Sequence, residues 1–229
     1  MEYLKNGFTL DTAGSTFPLS TDSMVLSGFV KLPKHARVLD LGSGCGTLGV
    51  LLCASDGGCA VTGIEICSQA HMAALENIRR NDLSARLSSI CADLRCVPSL
   101  VKAGSFDVCV SNPPYFSGGP ASKLDPAARR EDTCAPEDLC RAAAWALRYG
   151  GDFFLVHRPE RLAQLCACAS QAGLEPKRLC LVHHRPAGDV SLILLQCRKG
   201  GKPGLVWEKL YLFDESGAPT QEYRDLYNL

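Results

Sequence analysis

The chain has 229 residues, 46% apolar and 21% charged, which is the balance of a soluble globular protein long enough for one domain with a full core. Twenty-four Lys and Arg offset 24 Asp and Glu, so no whole-protein field advertises a nucleic-acid partner, although a local basic face stays open. The 13 cysteines are odd in number and lack any Cys-x-x-Cys pair. Most sit in apolar runs (Cys53, Cys109, Cys180, Cys197), as reduced, buried thiols of a cytosolic protein would, and not as a disulfide framework or metal site. The opening "MEYLKNGFTLDTAGSTF" has no apolar h-region and no run approaches membrane-spanning length, so a cytoplasmic chain with no membrane partner is expected.

The first elements in chain order are a hairpin-like piece, "GFTLDTAGSTF", and a helix, "TDSMVLSGFVKL". Strand and helix then alternate. "ARVLDLG" (Ala36–Gly42) is a strand, "GTLGVLLCAS" a helix, and "CAVTGIEI" (Cys59–Ile66) a strand. "SQAHMAALENIRRND" is helical, with Ser68 as its N-cap and Met72, Leu75 and Ile78 spaced for one buried face. "RLSSICAD" and "SFDVCVSN" are the third and fourth strands. A helix "PEDLCRAAAWALRYGG" opens on Pro136 and stops at Gly150-Gly151. Strand "DFFLVH", helix "PERLAQLCACASQAG" and the strands "KRLCLVHH" and "VSLILLQC", joined by "RPAGD", complete the pattern. This is an α/β chain: one domain over 1–229, with a mostly parallel sheet, a C-terminal antiparallel hairpin and a lead-in over 1–35. The stretch 117–136 is long, polar and aperiodic, and is expected to be a functional loop.

Chemistry concentrates at the strand ends, where open α/β sheets bind ligands. The first strand runs into Asp40-Leu-Gly42-Ser-Gly44-Cys-Gly46. Its glycines permit close backbone approach, and the helix that follows offers unpaired amides. Gly44-Cys-Gly46-Thr-Leu-Gly49 also matches the dinucleotide fingerprint G-x-G-x-x-G, and Glu65 ends the second strand where an acid would take ribose hydroxyls, so a nicotinamide oxidoreductase competes. Asp93 follows the third strand. The fourth ends on Asn112-Pro113-Pro114-Tyr115, where two prolines forbid further ladder bonds.

The Asp40 to Gly46 run resembles motif I of S-adenosylmethionine-dependent methyltransferases, and Asn112 to Tyr115 resembles the (N/D)-P-P-(Y/F/W) motif of amino-methyltransferases. The resemblance implies a Rossmann-like class I fold with S-adenosylmethionine as cofactor and no metal. It assigns the cofactor to Asp40, Gly42, Gly44, Gly46, Glu65 (ribose) and Asp93 (adenine amine), with Ile66 and Leu94 flanking the adenine. A nucleobase amine is a poor nucleophile because its lone pair is delocalised. Two acceptors, the Asn112 side-chain oxygen and the Pro113 carbonyl, would localise that pair and aim it at the methyl group. Pro114 stiffens the backbone, and Tyr115 offers a stacking face worth ~1–3 kcal/mol.

The whole chain is similar to the bacterial tRNA adenine-N6 methyltransferases that act on valine tRNA. "FPLSTDSMVLSGF" resembles the family's lead-in with Asp22 on its acidic position, "AARRE" its A-R-x-E, and "LEPKRLCLVHHRPAGDVSLILLQCRKGGKPGL" its C-terminal hairpin and tail. Met24-Val25 departs from the alanine-rich lead-in usual there, and the family's glutamine in the first hairpin is not evident. Asp22 is expected to cap its helix, combined with a cofactor contact. Phe116, Arg129 and Arg130 are expected to face the RNA. "VHHRP" and "RKGGK" are expected to add positive charge near one end of the sheet. Ribosomal guanine and DNA adenine stay open as substrates, as does a binding protein without activity.

Overall fold

The computed structural model describes residues 2–4, 7–11, 19–113 and 134–226. A hairpin of two short strands, β1 (Glu2–Tyr3) and β2 (Thr9–Leu10), precedes helix α1 (Thr21–Phe29). Then follow β3 (Arg37–Leu41), α2 (Thr47–Ser55), β4 (Ala60–Glu65), α3 (Ser68–Arg80) and β5 (Leu87–Cys91). After a short α4 (Val97–Leu100) come β6 (Phe106–Ser111), α5 (Pro136–Ala146), β7 (Leu147–His157) and α6 (Leu162–Gln171). The chain closes with β8 (Leu174–His183), β9 (Val190–Lys199), β10 (Val206–Tyr211) and α7 (Gln221–Leu226).

Eight strands form one sheet in the order β10-β8-β9-β7-β6-β3-β4-β5, antiparallel only where β9 lies between β7 and β8. The sheet is sandwiched, so its central strands are apolar on both faces. Val38, Val108, Val110 and Phe154 point to the side covered by α1 and α2. Leu39, Leu41, Cys109 and Phe153 point to the side covered by α5 and α6. All thirteen cysteines are free thiols and most lie in these cores. No helix among the described residues is long and apolar enough to cross a membrane.

The α/β architecture, its parallel centre and the antiparallel β8–β9 hairpin are as expected; several local readings are corrected. The first hairpin pairs Glu2–Tyr3 with Thr9–Leu10, so its first strand lies upstream of the expected stretch and its second within it. The N-cap of α3 is Cys67, with Ser68 its first helical residue. Met72 is 62% and Leu75 40% exposed, while the buried face of α3 is Ala70, Ala74, Asn77 and Ile78. Helix α5 ends at Ala146, because Leu147 is already extended and pairs with Phe106 across a register shift. Arg148 is ion-paired with Asp107 at 2.7 Å, which suits strand neighbours. Strand β10 was not anticipated; it pairs parallel to β8. Finally, "VHHRP" and "RKGGK" do not share an end of the sheet. His183 pairs with Val190 and Leu174 with Lys199, so the two runs sit about 30 Å apart at ~3.3 Å per residue.

Candidate active site

The parallel strands all end on one edge, and a cavity of about 560 Å³ opens there above β3, β4, β5 and β6. Asp40, Gly42, Gly44, Glu65, Ile66, Asp93, Leu94, Asn112 and Pro113 line it, as does Asp22 from α1. Parallel register makes this assembly unavoidable: Asp40 is paired with Gly63 on one side and with Val110 on the other. Pro114, Tyr115, Phe116, Arg129 and Arg130 lie outside the described residues.

The glycine loop has a reason at each position. Gly42 and Gly44 have φ of +75° and +55°, and a Cβ at either would meet no heavy atom within 4 Å. Their missing side chains leave space on the cavity side. Gly46 is different: it is absent from the lining, and a Cβ there would touch the Ala74 Cβ at 3.4 Å. What calls for glycine here is its φ of +83° at the N-cap of α2, with Ala74 in ordinary contact.

Glu65 organises the loop before it can meet any ligand. Its two carboxylate oxygens accept the backbone N–H groups of Gly44 and Cys67, each at 2.8 Å. Each oxygen keeps a further lone pair, so the pairing leaves capacity for hydroxyl donors. Asp93 is likewise engaged: it caps the turn after β5 by accepting the Arg95 amide, and the Arg95 guanidinium grips its two oxygens, Nε at 3.0 Å from Oδ1 and Nη2 at 2.5 Å from Oδ2. That pairing, chiefly the bond to Arg95, holds the Asp93 carboxyl below the usual range.

Asp40 is the outlier. It is 1% exposed, and neither carboxylate oxygen has a hydrogen-bond partner among the described residues; the same holds for the Ser43 hydroxyl. Burial, and secondarily the charge of Glu65, push its carboxyl up to about 8. A buried carboxyl without partners is costly, and it marks a place where a polar, cationic ligand end would be welcome.

Asp22 is not the helix cap. Ser20 is, its hydroxyl accepting the Ser23 amide at 3.3 Å, while Asp22 sits inside the first turn. Burial raises its carboxyl above the usual range, opposed by the Arg158 charge. The residue that sequence reasoning missed is Ser23, 6% exposed, whose hydroxyl accepts the Asn112 side-chain N–H at 2.9 Å. In this arrangement Nδ2 faces Ser23, and Oδ1 is left as an acceptor without a partner among the described residues.

This arrangement, glycine loop, acids at successive strand ends and Asn112-Pro113 beside one cavity, defines a class I S-adenosylmethionine-dependent methyltransferase. Residues 20–165 match the family described as methyltransferase small domain, and the chain belongs to that family. A tRNA1(Val) (adenine(37)-N6)-methyltransferase of Bacteroides fragilis (strain YCH46) is 31% identical over 180 residues, 77% of this chain and 75% of that protein. The protein of the same description from Photobacterium profundum is 25% identical over 228 residues, 96% of this chain and 95% of its own. Among solved structures, protein Atu636 from Agrobacterium tumefaciens, titled a predicted O-methyltransferase, superposes with a TM-score of 0.75. It is 25% identical, covering 91% of this chain and 96% of that one. The oxidoreductase reading of Gly44 to Gly49 is thereby overturned.

The cofactor of this class is S-adenosylmethionine, and the residues fit it. The space at Gly42 and Gly44 admits a ligand against the backbone, and the orphaned Asp40 carboxyl suits a cationic amino-acid end. Among the described residues no cluster of His, Cys, Asp or Glu could hold a metal ion.

Proposed function

We propose that this chain methylates the exocyclic N6 amine of an adenine in tRNA. The observation that carries the reading is the Asn112 carboxamide, its N–H spent on Ser23 and its oxygen left for a donor beside the cofactor cavity. An amine donor, not a hydroxyl or a carbon, is what a neutral amide oxygen paired with the Pro113 carbonyl suits. These two acceptors would take the two N–H bonds of the amine, so that its lone pair is aimed and its developing charge stabilised. When bound, S-adenosylmethionine supplies an electrophilic methyl group on a sulfonium. Glu65 would take the ribose, Asp93 the adenine amine, with Ile66 and Leu94 beside the ring. An anticodon-loop adenine would leave its stack and lie on Tyr115, with Phe116, Arg129 and Arg130 toward the RNA. The names of the relatives support position 37 of a valine tRNA, and a tRNA substrate supports a cytoplasmic location.

The test is methyl transfer from tritiated S-adenosylmethionine to tRNA lacking the modification, with nucleoside analysis. Label in N6-methyladenosine of tRNA is expected. Label in ribosomal RNA or DNA would keep the chemistry and replace the substrate, and an O-methylated product would overturn the amine reading.

Ser23 gives a second, smaller expectation. Ser23→Ala removes the acceptor for the Asn112 N–H and frees the carboxamide to turn over. The loss of one such bond, about 1 kcal/mol, lowers kcat roughly five- to tenfold. The cofactor dissociation constant, read by calorimetry, should stay within about twofold, since the change lies within the range of a minor substitution.

A further inference from the structure

Two asparagines one turn apart, Asn77 on the inward face of α3 and Asn81 at its C-cap, are not used by the chemistry above. Asn77 is 0% and Asn81 8% exposed. The Asn81 Oδ1 accepts the Thr9 N–H at 2.7 Å, and its Nδ2 donates to the Thr9 carbonyl at 2.7 Å. Asn77 repeats the pattern one strand period further on. Its Oδ1 accepts the Asp11 N–H at 2.8 Å, and its Nδ2 donates to the Asp11 carbonyl at 3.1 Å. The Asn77 Nδ2 also donates to the Cys45 carbonyl at 3.0 Å, inside the glycine loop. Arg80 adds an ion pair to Asp11 at 3.2 Å.

The periods match for a physical reason. Residues i and i+2 of a strand present their N–H and C=O groups to the same side about 6.6 Å apart, and residues i and i+4 of a helix are separated by about 6 Å of rise. A carboxamide has the donor and acceptor of a peptide group. The pair therefore replaces a neighbouring strand, and it holds main chain without reading any side chain.

We propose that Asn77 and Asn81 are positioning residues that form a main-chain clamp, joining the lead-in strand to the cofactor's glycine loop. Asn81 holds the strand and its own helix, its Nδ2 donating also to the Asn77 carbonyl at 2.7 Å, but does not touch the loop. Asn77 holds the strand and the Cys45 peptide with one side chain, so a displaced lead-in loosens the loop between Gly44 and Gly46. The proposal rests on the assignment of that loop to S-adenosylmethionine.

Amide hydrogen exchange on the full chain and calorimetry with S-adenosylmethionine test it. In the unaltered protein the Thr9 and Asp11 amides are protected. Asn81→Ala exposes the Thr9 amide while the cofactor dissociation constant changes less than about threefold; Asn77→Ala exposes the Asp11 amide and weakens the cofactor about tenfold, the equivalent of one buried hydrogen bond. Asp11→Pro removes the donor to Asn77 together with the Arg80 ion pair and changes no residue of α3 or the loop, which keeps the idea testable should Asn77→Ala fold poorly. It is expected to speed exchange at the Gly46 amide, which belongs to the peptide whose Cys45 carbonyl Asn77 holds. Unprotected Thr9 and Asp11 amides in the unaltered protein would overturn the clamp. So would Gly46 exchange unmoved by Asp11→Pro, or unchanged cofactor affinity in a folded Asn77→Ala. An unaltered protein that keeps those amides protected but binds no cofactor would overturn the loop assignment instead.

Discussion

Asn112→Ala is expected to lower kcat by about 10³ while leaving the cofactor dissociation constant nearly unchanged, since removing one preorganised transition-state partner costs roughly 10²–10³ in kcat. The argument lies in the geometry of the acceptor. Asn112 stands one residue past β6, tethered to the sheet by Ser111, whose hydroxyl donates to the Leu41 carbonyl at 2.7 Å. The carboxamide is aimed from the other side by Ser23. Alanine keeps the backbone and removes the acceptor, so binding survives and turnover does not. Asn112→Asp separates orientation from mere presence. A hydroxyl can donate as readily as it accepts, so Ser23 can turn to donate to the new carboxylate and keep one oxygen directed at the amine. Asn112→Asp should therefore retain well over tenfold more activity than Asn112→Ala, a difference of more than about 1.4 kcal/mol in the barrier. It should lose that margin when combined with Ser23→Ala. Steady-state kinetics on tRNA and calorimetry on the four proteins check this; a matching collapse of cofactor affinity in Asn112→Ala would remove Asn112 from its role.

The strand ends were legible because each carries its chemistry in consecutive letters. Asp40 with its glycines, Glu65, Asp93 and Asn112-Pro113 all fall at carboxyl termini, and a parallel sheet has to bring those together. Ser23 was not legible, because it meets Asn112 across 89 positions and looks in the sequence like one more polar residue at a helix start. The face of α3 was misread for a related reason. Periodicity rewards large apolar residues, yet this helix packs against a glycine loop and a strand, and close approach there needs Ala74 and hydrogen-bonding Asn77. Large Met72 and Leu75 consequently face outward. Strand β10 carries the adjacent Glu208 and Lys209 between apolar pairs on a sheet edge, so no continuous buried run announced it. The two basic runs were adjacent in sequence terms only through a hairpin, and an antiparallel hairpin puts its far ends a strand length apart.

Asp40 should couple the cofactor to protons. In the free protein its carboxyl is raised from 3.8 to about 8, chiefly by burial, so near pH 7 it is mostly neutral. The unfolded chain has already lost that proton above pH 4. Between about pH 4 and 8 the folded state thus binds more protons than the unfolded one, and this group lowers stability as pH rises, by at most about 1.4 kcal/mol per pH unit. Asp40→Asn should flatten that slope in denaturation experiments between pH 5 and 8. Binding reverses the balance. A cationic ligand end beside Asp40 favours its ionised form, so the proton leaves on association, and affinity rises by up to about tenfold per pH unit before levelling above 8. Calorimetry in buffers of different ionisation enthalpy would register close to one proton released near pH 7. The ligand's own amine titrates in both proteins and cancels when they are compared. Asp40→Asn should release correspondingly less, lose the pH slope, and bind more weakly at pH 8 by roughly a hundredfold, the cost of one lost charge-assisted pairing of about 2–3 kcal/mol. Equal proton release from the two proteins would show that Asp40 stays neutral beside the ligand, and its burial would then serve the loop and not the charge.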